Sequence, residues 1–139
     1  MEYTDAQKTQ IADILTKWKE KILGKCEIRI EFQSEQVYDN GGCVTADIEC
    51  SQWKYGIYHM NIYPELFNDD NNWDVENIIV HELVHCALAP LTSGIVDRLF
   101  NDKWITQDHF NDMNEFVTSN LTRIIMEANG NLHNTTENQ

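Results

Sequence analysis

The chain has no CxxC pair, no dense cysteine framework and no unbroken apolar run near the ~20 residues that a bilayer-spanning helix needs. Its four cysteines, Cys26, Cys43, Cys50 and Cys86, are therefore expected to be free thiols in a reducing compartment. A Cys43–Cys50 bridge is disfavoured, because an odd spacing along one strand sends the two side chains to opposite faces. Basic residues are scarce: 10 Lys and Arg stand against 23 Asp and Glu, a formal charge of -13. Such a surface repels phosphate backbones and anionic lipid, so neither a nucleic-acid nor a membrane partner is expected. The first ten residues, MEYTDAQKTQ, carry neither a basic n-region nor an apolar h-region, which leads to the expectation of a cytoplasmic protein.

What is present suits one globular domain. The 139 residues are 42% hydrophobic and 24% charged, without internal repeats. A single domain over residues 1–129 is expected, followed by a polar, disordered tail over 130–139, GNLHNTTENQ.

The chain opens with Thr4-Asp5-Ala6-Gln7, which fits a capping box. Ile11, Ile14, Leu15, Trp18, Ile22 and Leu23 recur at helical spacing, and Gly24 stops them, predicting a helix from about 5 to 23. Cys26 to Phe32 alternates as a half-buried strand does. Asp39-Asn40-Gly41-Gly42 is turn chemistry. Cys43 to Cys50 alternates again, and Tyr55 to Tyr63 reads as a third strand stopped by Pro64. Short connections favour antiparallel neighbours. Asn72 or Asp74 is placed to cap a helix that should end near Ala89, since Pro90 follows. A last helix is predicted from about Gln107 to Ala128. Its apolar stripe is Phe110, Met113, Val117, Leu121, Ile124 and Ile125. The stripe is expected to face the sheet, leaving the small Thr118 and Thr122 for contact with the preceding helix.

Inside that preceding helix lies His81-Glu82-Leu83-Val84-His85, set among Ile78, Ile79, Val80, Cys86, Ala87 and Leu88. At about 100° per residue the two imidazoles project about 40° apart, one turn along, side by side. Glu82 sits about 100° from His81 and flanks the pair. Ionisable groups on a helix that is apolar nearly all round are costly unless paired or coordinated. A divalent cation, Zn²⁺ by ligand type, compensates both histidines and presents a polarised water to Glu82. Chance gives roughly 0.015 HExxH matches in a chain of this composition. Two ligands are too few for a catalytic site. The extended HExxHxxGxxH pattern fails, because Leu88 and Leu91 stand where its glycine and third histidine would be. A third ligand must come from further along, where Asp97, Asp102, Asp108, His109, Asp112 and Glu115 are available. Cys86, about 100° from His85, reads as core rather than ligand.

HELVHCALAPL, followed about two dozen residues later by Glu115-Phe116-Val117-Thr118-Ser119-Asn120-Leu121-Thr122, resembles the small minimal gluzincins. These are compact HExxH metallopeptidase-like proteins often carried by phages and prophages. The resemblance covers about residues 5 to 126. It implies a zincin-like α+β fold: an N-terminal helix, a small three-stranded mainly antiparallel sheet, an HExxH helix and a C-terminal ligand helix. It also implies that Glu115 completes a His81, His85, Glu115 zinc site, with His109 and Asp112 as the other candidates.

The expected function is that of a monomeric zinc metallopeptidase acting on a peptide or protein substrate, with Glu82 as general base. The strand from Tyr55 to Tyr63 is expected to be the sheet edge that pairs with substrate backbone, with Tyr58 and His59 in contact with it. The rival expectation is a zinc-containing module, or an inactive peptidase homologue, that captures a protein partner.

Overall fold

Thr4 starts the first helix as its sequence predicts. Its hydroxyl accepts from the Gln7 backbone N–H (3.2 Å), and the Gln7 side chain accepts from the Thr4 N–H (2.8 Å). The helix, α1, spans Asp5–Leu23 and ends at Gly24 with φ 70°. Its apolar positions Ile11, Ile14, Leu15 and Trp18 are buried. The computed structural model describes residues 2–137, apart from the side chains of 97, 98, 100 and 131–137. Among the described residues the chain is α+β, with three α-helices and a small mixed sheet. It divides into two compact units, Met1–Pro90 and Leu91–Gln139.

The first unit holds α1 and all the strands: β1 (Glu27–Phe32), β2 (Tyr38–Asp39), β3 (Gly42–Cys43), β4 (Ala46–Glu49) and β5 (Ile57–Ile62). The two residues between β2 and β3, Asn40 (φ 47°) and Gly41 (φ 81°), both adopt the left-handed conformation. Positive φ at both central positions is what a tight hairpin turn matching strand twist requires, and Asn-Gly supplies it at least cost. The run expected as one strand from Cys43 to Cys50 is split. β3 belongs to the hairpin, and β4 begins only at Ala46, once the chain has crossed to the larger sheet.

Strand order in the larger sheet is β1-β5-β4. β5 runs parallel to β1, from Glu27↔Ile57 to Phe32↔Ile62. It runs antiparallel to β4, from Ala46↔Ile62 to Glu49↔His59. Two expectations are thereby corrected. The sheet is mixed rather than mainly antiparallel, because β1 and β5 are separated by the hairpin and β4 and meet through a crossover. The strand expected at the edge is the central one. β5 is hydrogen-bonded along both of its edges, and the outer strands of this sheet are β1 and β4.

Tyr58, Met60 and Ile62 of β5 are buried, Met60 and Ile62 completely. They share the core with Ile79, Val80, Leu83 and Val84. The opposite face of the sheet is polar. Asp47 accepts from the Asn61 amide (2.7 Å) and the Tyr63 hydroxyl (2.7 Å), and Asn61 accepts from Gln33 (2.9 Å). Burial is the main reason that the Tyr63 hydroxyl is pushed up to about 12, with the Asp47 carboxylate adding to it. The Tyr3 hydroxyl lies 2.8 Å from the Gln33 carbonyl and 3.0 Å from the Ile62 carbonyl, fastening the N-terminus where β1 and β5 end.

The second helix, α2, spans Val75–Asn101 and contains Pro90. This corrects the expectation of a stop near Ala89. Proline removes one backbone bond and crowds the preceding turn, at about 3 kcal/mol. The helix nevertheless continues through Pro90 to Asn101. With the stop gone, Val75–Val96 (mean hydropathy 1.4) is long and apolar enough to cross a membrane by length and composition alone, a test that core helices also pass.

The second unit begins in the C-terminal part of α2 and includes α3 (Gln107–Glu137). Thr106 leads into α3, its hydroxyl accepting from the His109 N–H (3.2 Å). The helix was expected to end near Ala128, before a disordered tail. Its bounds reach Glu137, while residues 138–139 and the side chains from 131 lie outside the described residues. The buried side of α3 also differs from expectation. Met113, Val117, Leu121 and Ile124 of the apolar stripe are exposed, whereas Thr118 and Thr122 are buried. Burying Thr122 costs little, because its hydroxyl donates to the Thr118 carbonyl (2.8 Å).

Completely buried Leu83 and half-exposed Leu91 (57%) should separate in a denaturation experiment. Leu83→Ala is expected to lower the unfolding free energy by about 2–5 kcal/mol. Leu91→Ala should stay within about 0.5 kcal/mol, as exposed positions usually do. Guanidinium titrations of both variants check this.

Candidate metal centre

Position and rotation of the histidine pair are set before the helix reaches them. Asp74 is the cap: its carboxylate accepts from the Asn77 N–H (3.0 Å), and its carbonyl from the Ile78 N–H (3.1 Å). Glu76, in the first turn, accepts from the Lys17 ammonium (2.6 Å) and the Trp18 indole N–H (2.6 Å) of α1. Acid at a helix N-terminus is favoured by the helix dipole. The two bonds from α1 also fix which side of α2 turns inward. Ile79, Val80, Leu83, Val84 and Cys86 then fall in the core, each 2% exposed or less.

The remaining side of this turn carries His81, Glu82 and His85, all half-buried. The two imidazoles lie with ring centroids 4.8 Å apart and planes at 85°. They are neighbours on one face, as the i, i+4 spacing requires. Half-burial corrects the picture of a helix submerged on every side. The pair sits at the margin of the core. The donor types and their adjacency fit a divalent cation of borderline softness.

The other predicted site residues are distributed as follows. Tyr58 lies on the buried face of β5. Its hydroxyl is raised above the ordinary tyrosine range, first by burial and then by the neighbouring thiols Cys86, Cys26 and Cys50. Since Cys86 belongs to α2, this is the sheet face turned toward α2. His59 points the other way, between its cross-strand partners Arg29 and Glu49. It is therefore not brought together with His81 and His85, because successive residues of a strand alternate faces.

Glu115 lies on α3 and is exposed, as are His109 and Asp112. By helical spacing Glu115 shares a side with buried Thr118 and Thr122, three and seven residues on. It does not lie on the exposed Met113, Val117, Leu121 side. Asp102 and Asp108 are exposed, and the Asp97 side chain lies outside the described residues.

Sequence reasoning did not foresee the Cys50–Cys86 contact. Cys86 was read as core, which its 1% exposure bears out. Its sulfur lies 3.4 Å from that of Cys50, which directly follows β4. The hydrogen bond with Cys86 holds the Cys50 thiol below its ordinary range, against the opposing effect of burial. That same bond, with burial next, raises Cys86. All four cysteines are free. No signal in the sequence places residues 50 and 86 together.

Comparison with protein-family models, curated proteins and solved structures finds no match to this chain.

Placement of Tyr58 and His59 on opposite sheet faces yields a stability test. Tyr58→Ala is expected to cost about 3–5 kcal/mol, the range for truncating a large buried aromatic side chain. His59→Ala should cost about 0.5 kcal/mol or less. Chemical denaturation distinguishes them, and equal losses would mean that the strand faces are misassigned.

Proposed function

We propose that the chain is a zinc-dependent metallopeptidase of the minimal gluzincin kind, with a zincin-like arrangement of its helices and mixed sheet. The observation that carries the reading is the imidazole pair of His81 and His85, adjacent on one turn of α2, with Glu82 beside them at the half-buried margin. His81, His85 and Glu115 would hold Zn²⁺, each through one donor atom: two imidazole nitrogens and a carboxylate oxygen. Glu115 is favoured over His109 and Asp112 by the likeness of its helix to the gluzincin ligand helix. The position of Glu115 on the side of α3 that carries buried Thr118 and Thr122 also supports it.

When bound, zinc supplies Lewis-acid chemistry, acidifying water and polarising a carbonyl oxygen. The chain supplies proton transfer. Glu82 takes a proton from the attacking water as the bond to the peptide carbonyl carbon forms. It then delivers that proton to the leaving amine as the C–N bond breaks. Glu82 is flanked by the histidines in sequence but projects about 60–100° away from them around the helix, beside the pair rather than in line with it. The substrate is a peptide or protein.

A second reading, a zinc-containing module that captures a protein, is favoured by one observation. Trp104 (78% exposed), Phe116 (70%), Ile95, Met113 and Ile124 of the second unit are large apolar side chains open to solvent, a feature of protein-binding surfaces.

The test uses the full chain loaded with zinc and a mixed pool of quenched fluorescent peptides. Wild type is expected to bind one zinc per chain and to cleave. Glu82→Gln should keep the zinc and lose about 10²–10⁴-fold in turnover, the usual contribution of a positioned general base. Glu115→Ala should lose zinc to a mild chelator. Stoichiometric zinc without cleavage by wild type would turn the assignment to the binding module. No zinc at all would overturn both readings.

A further inference from the structure

The thiols of Cys50 and Cys86 are neither ligands nor bases in the proposed reaction, yet they are in direct contact. Their sulfurs are 3.4 Å apart, against about 2.05 Å in a disulfide. Bonding therefore asks for a closure of little more than an ångström. The partners differ in access. Cys86 is buried on α2, at 1% exposure, whereas Cys50 is half-buried at the exit of β4. Cys26 and Cys43 differ again: Cys43 is exposed in the hairpin, and Cys26 is half-buried just ahead of β1.

We propose that Cys50 and Cys86 form a reversible dithiol–disulfide pair, with Cys50 as the sulfur that meets a peroxide and Cys86 as the sulfur that resolves it. One thiol at a solvent-reachable margin with a second waiting behind it is the arrangement that favours a disulfide over further oxidation. Cys50 is the more accessible of the two sulfurs, which makes it the one a peroxide reaches first.

In the first step the Cys50 sulfur attacks one peroxide oxygen and the O–O bond breaks. Sulfenic acid forms and one water leaves. In the second, the Cys86 sulfur attacks the sulfenic sulfur, the S–O bond breaks and a second water leaves. The two cysteine sulfurs are oxidised and the peroxide is reduced to two waters. A small dithiol reverses the bond by exchange, itself becoming a disulfide. The bridge would tie the end of β4 to the helical turn that carries His85, so oxidation would stiffen the first unit where the histidine pair is mounted. The proposal stands apart from metal binding and needs no zinc.

The full chain is reduced, freed of reductant, treated with a slight molar excess of hydrogen peroxide, and then alkylated. Intact mass should fall by two hydrogens before alkylation, and only Cys26 and Cys43 should take up the label. Peptide mapping should recover a Cys50–Cys86 cross-link that dithiothreitol removes. Cys50→Ser and Cys86→Ser should each abolish the cross-link completely. Where either variant fails to fold, the wild-type map alone decides. Oxygen additions without a cross-link, or a bridge through Cys26 or Cys43, would overturn the proposal.

Discussion

The first unit depends on the burial of one side of α2 up to, but not including, its histidines. Ile79, Val80, Leu83 and Val84 are removed almost completely from water, each worth about 1.5–3 kcal/mol on transfer. That sum far exceeds the cost of keeping three polar side chains half-buried nearby. The helix therefore cannot rotate to hide or release His81 and His85 without exposing its aliphatic side. The direction of the imidazole pair follows from hydrophobic burial, and the chemistry of the site is mounted on it.

Polar contacts supply what burial alone leaves undetermined. A greasy helix can slide or turn on a greasy sheet face. The Asp74 cap fixes where α2 begins, and the Glu76 carboxylate, gripped by Lys17 and Trp18, fixes its register against α1. The Lys17 bond is partly solvent-exposed and contributes modestly. The Trp18 indole is buried, and losing its acceptor would leave a donor unsatisfied, which is the costlier defect. On the far side of the sheet, Asp47, Asn61, Gln33 and Tyr63 form a connected polar network that holds β4 and β1 to the central strand.

Two groups of potentially reactive side chains share one helical stretch. His81, Glu82 and His85 occupy its open margin, while Cys86, one residue on, turns into the core toward Cys50. The 100° step of the α-helix separates these neighbours in direction even though they adjoin in sequence. A candidate metal-ligand set and a thiol pair can therefore coexist without competing for the same space. In the second unit the same separation of faces places Glu115 with Thr118 and Thr122 rather than with the apolar stripe.

Local signals in the sequence were enough for several elements. The capping box at Thr4 and Gln7, the stop at Gly24, the Asn40-Gly41 turn and the Asp74 cap each involve residues within a few positions of one another, so short-range sterics and hydrogen bonding decide them. The adjacency of His81 and His85 was legible for the same reason, being a property of helical pitch. Strand order was not legible. Nothing within β5 announces that β1, some thirty residues earlier, will pair with it in parallel, and this crossover moved Tyr55–Tyr63 from the expected edge to the centre. Pro90 was misread because a local rule costing a few kcal/mol yielded to a longer helix. The stripe on α3 was visible as a pattern, but periodicity marks which residues share a face and says nothing about what covers it. The Cys50–Cys86 contact likewise exists only after folding. By itself the sequence determined what pitch and capping dictate; pairing between distant segments, and with it which faces are buried, was decided by the tertiary structure, because those energies belong to contacts that no local stretch contains.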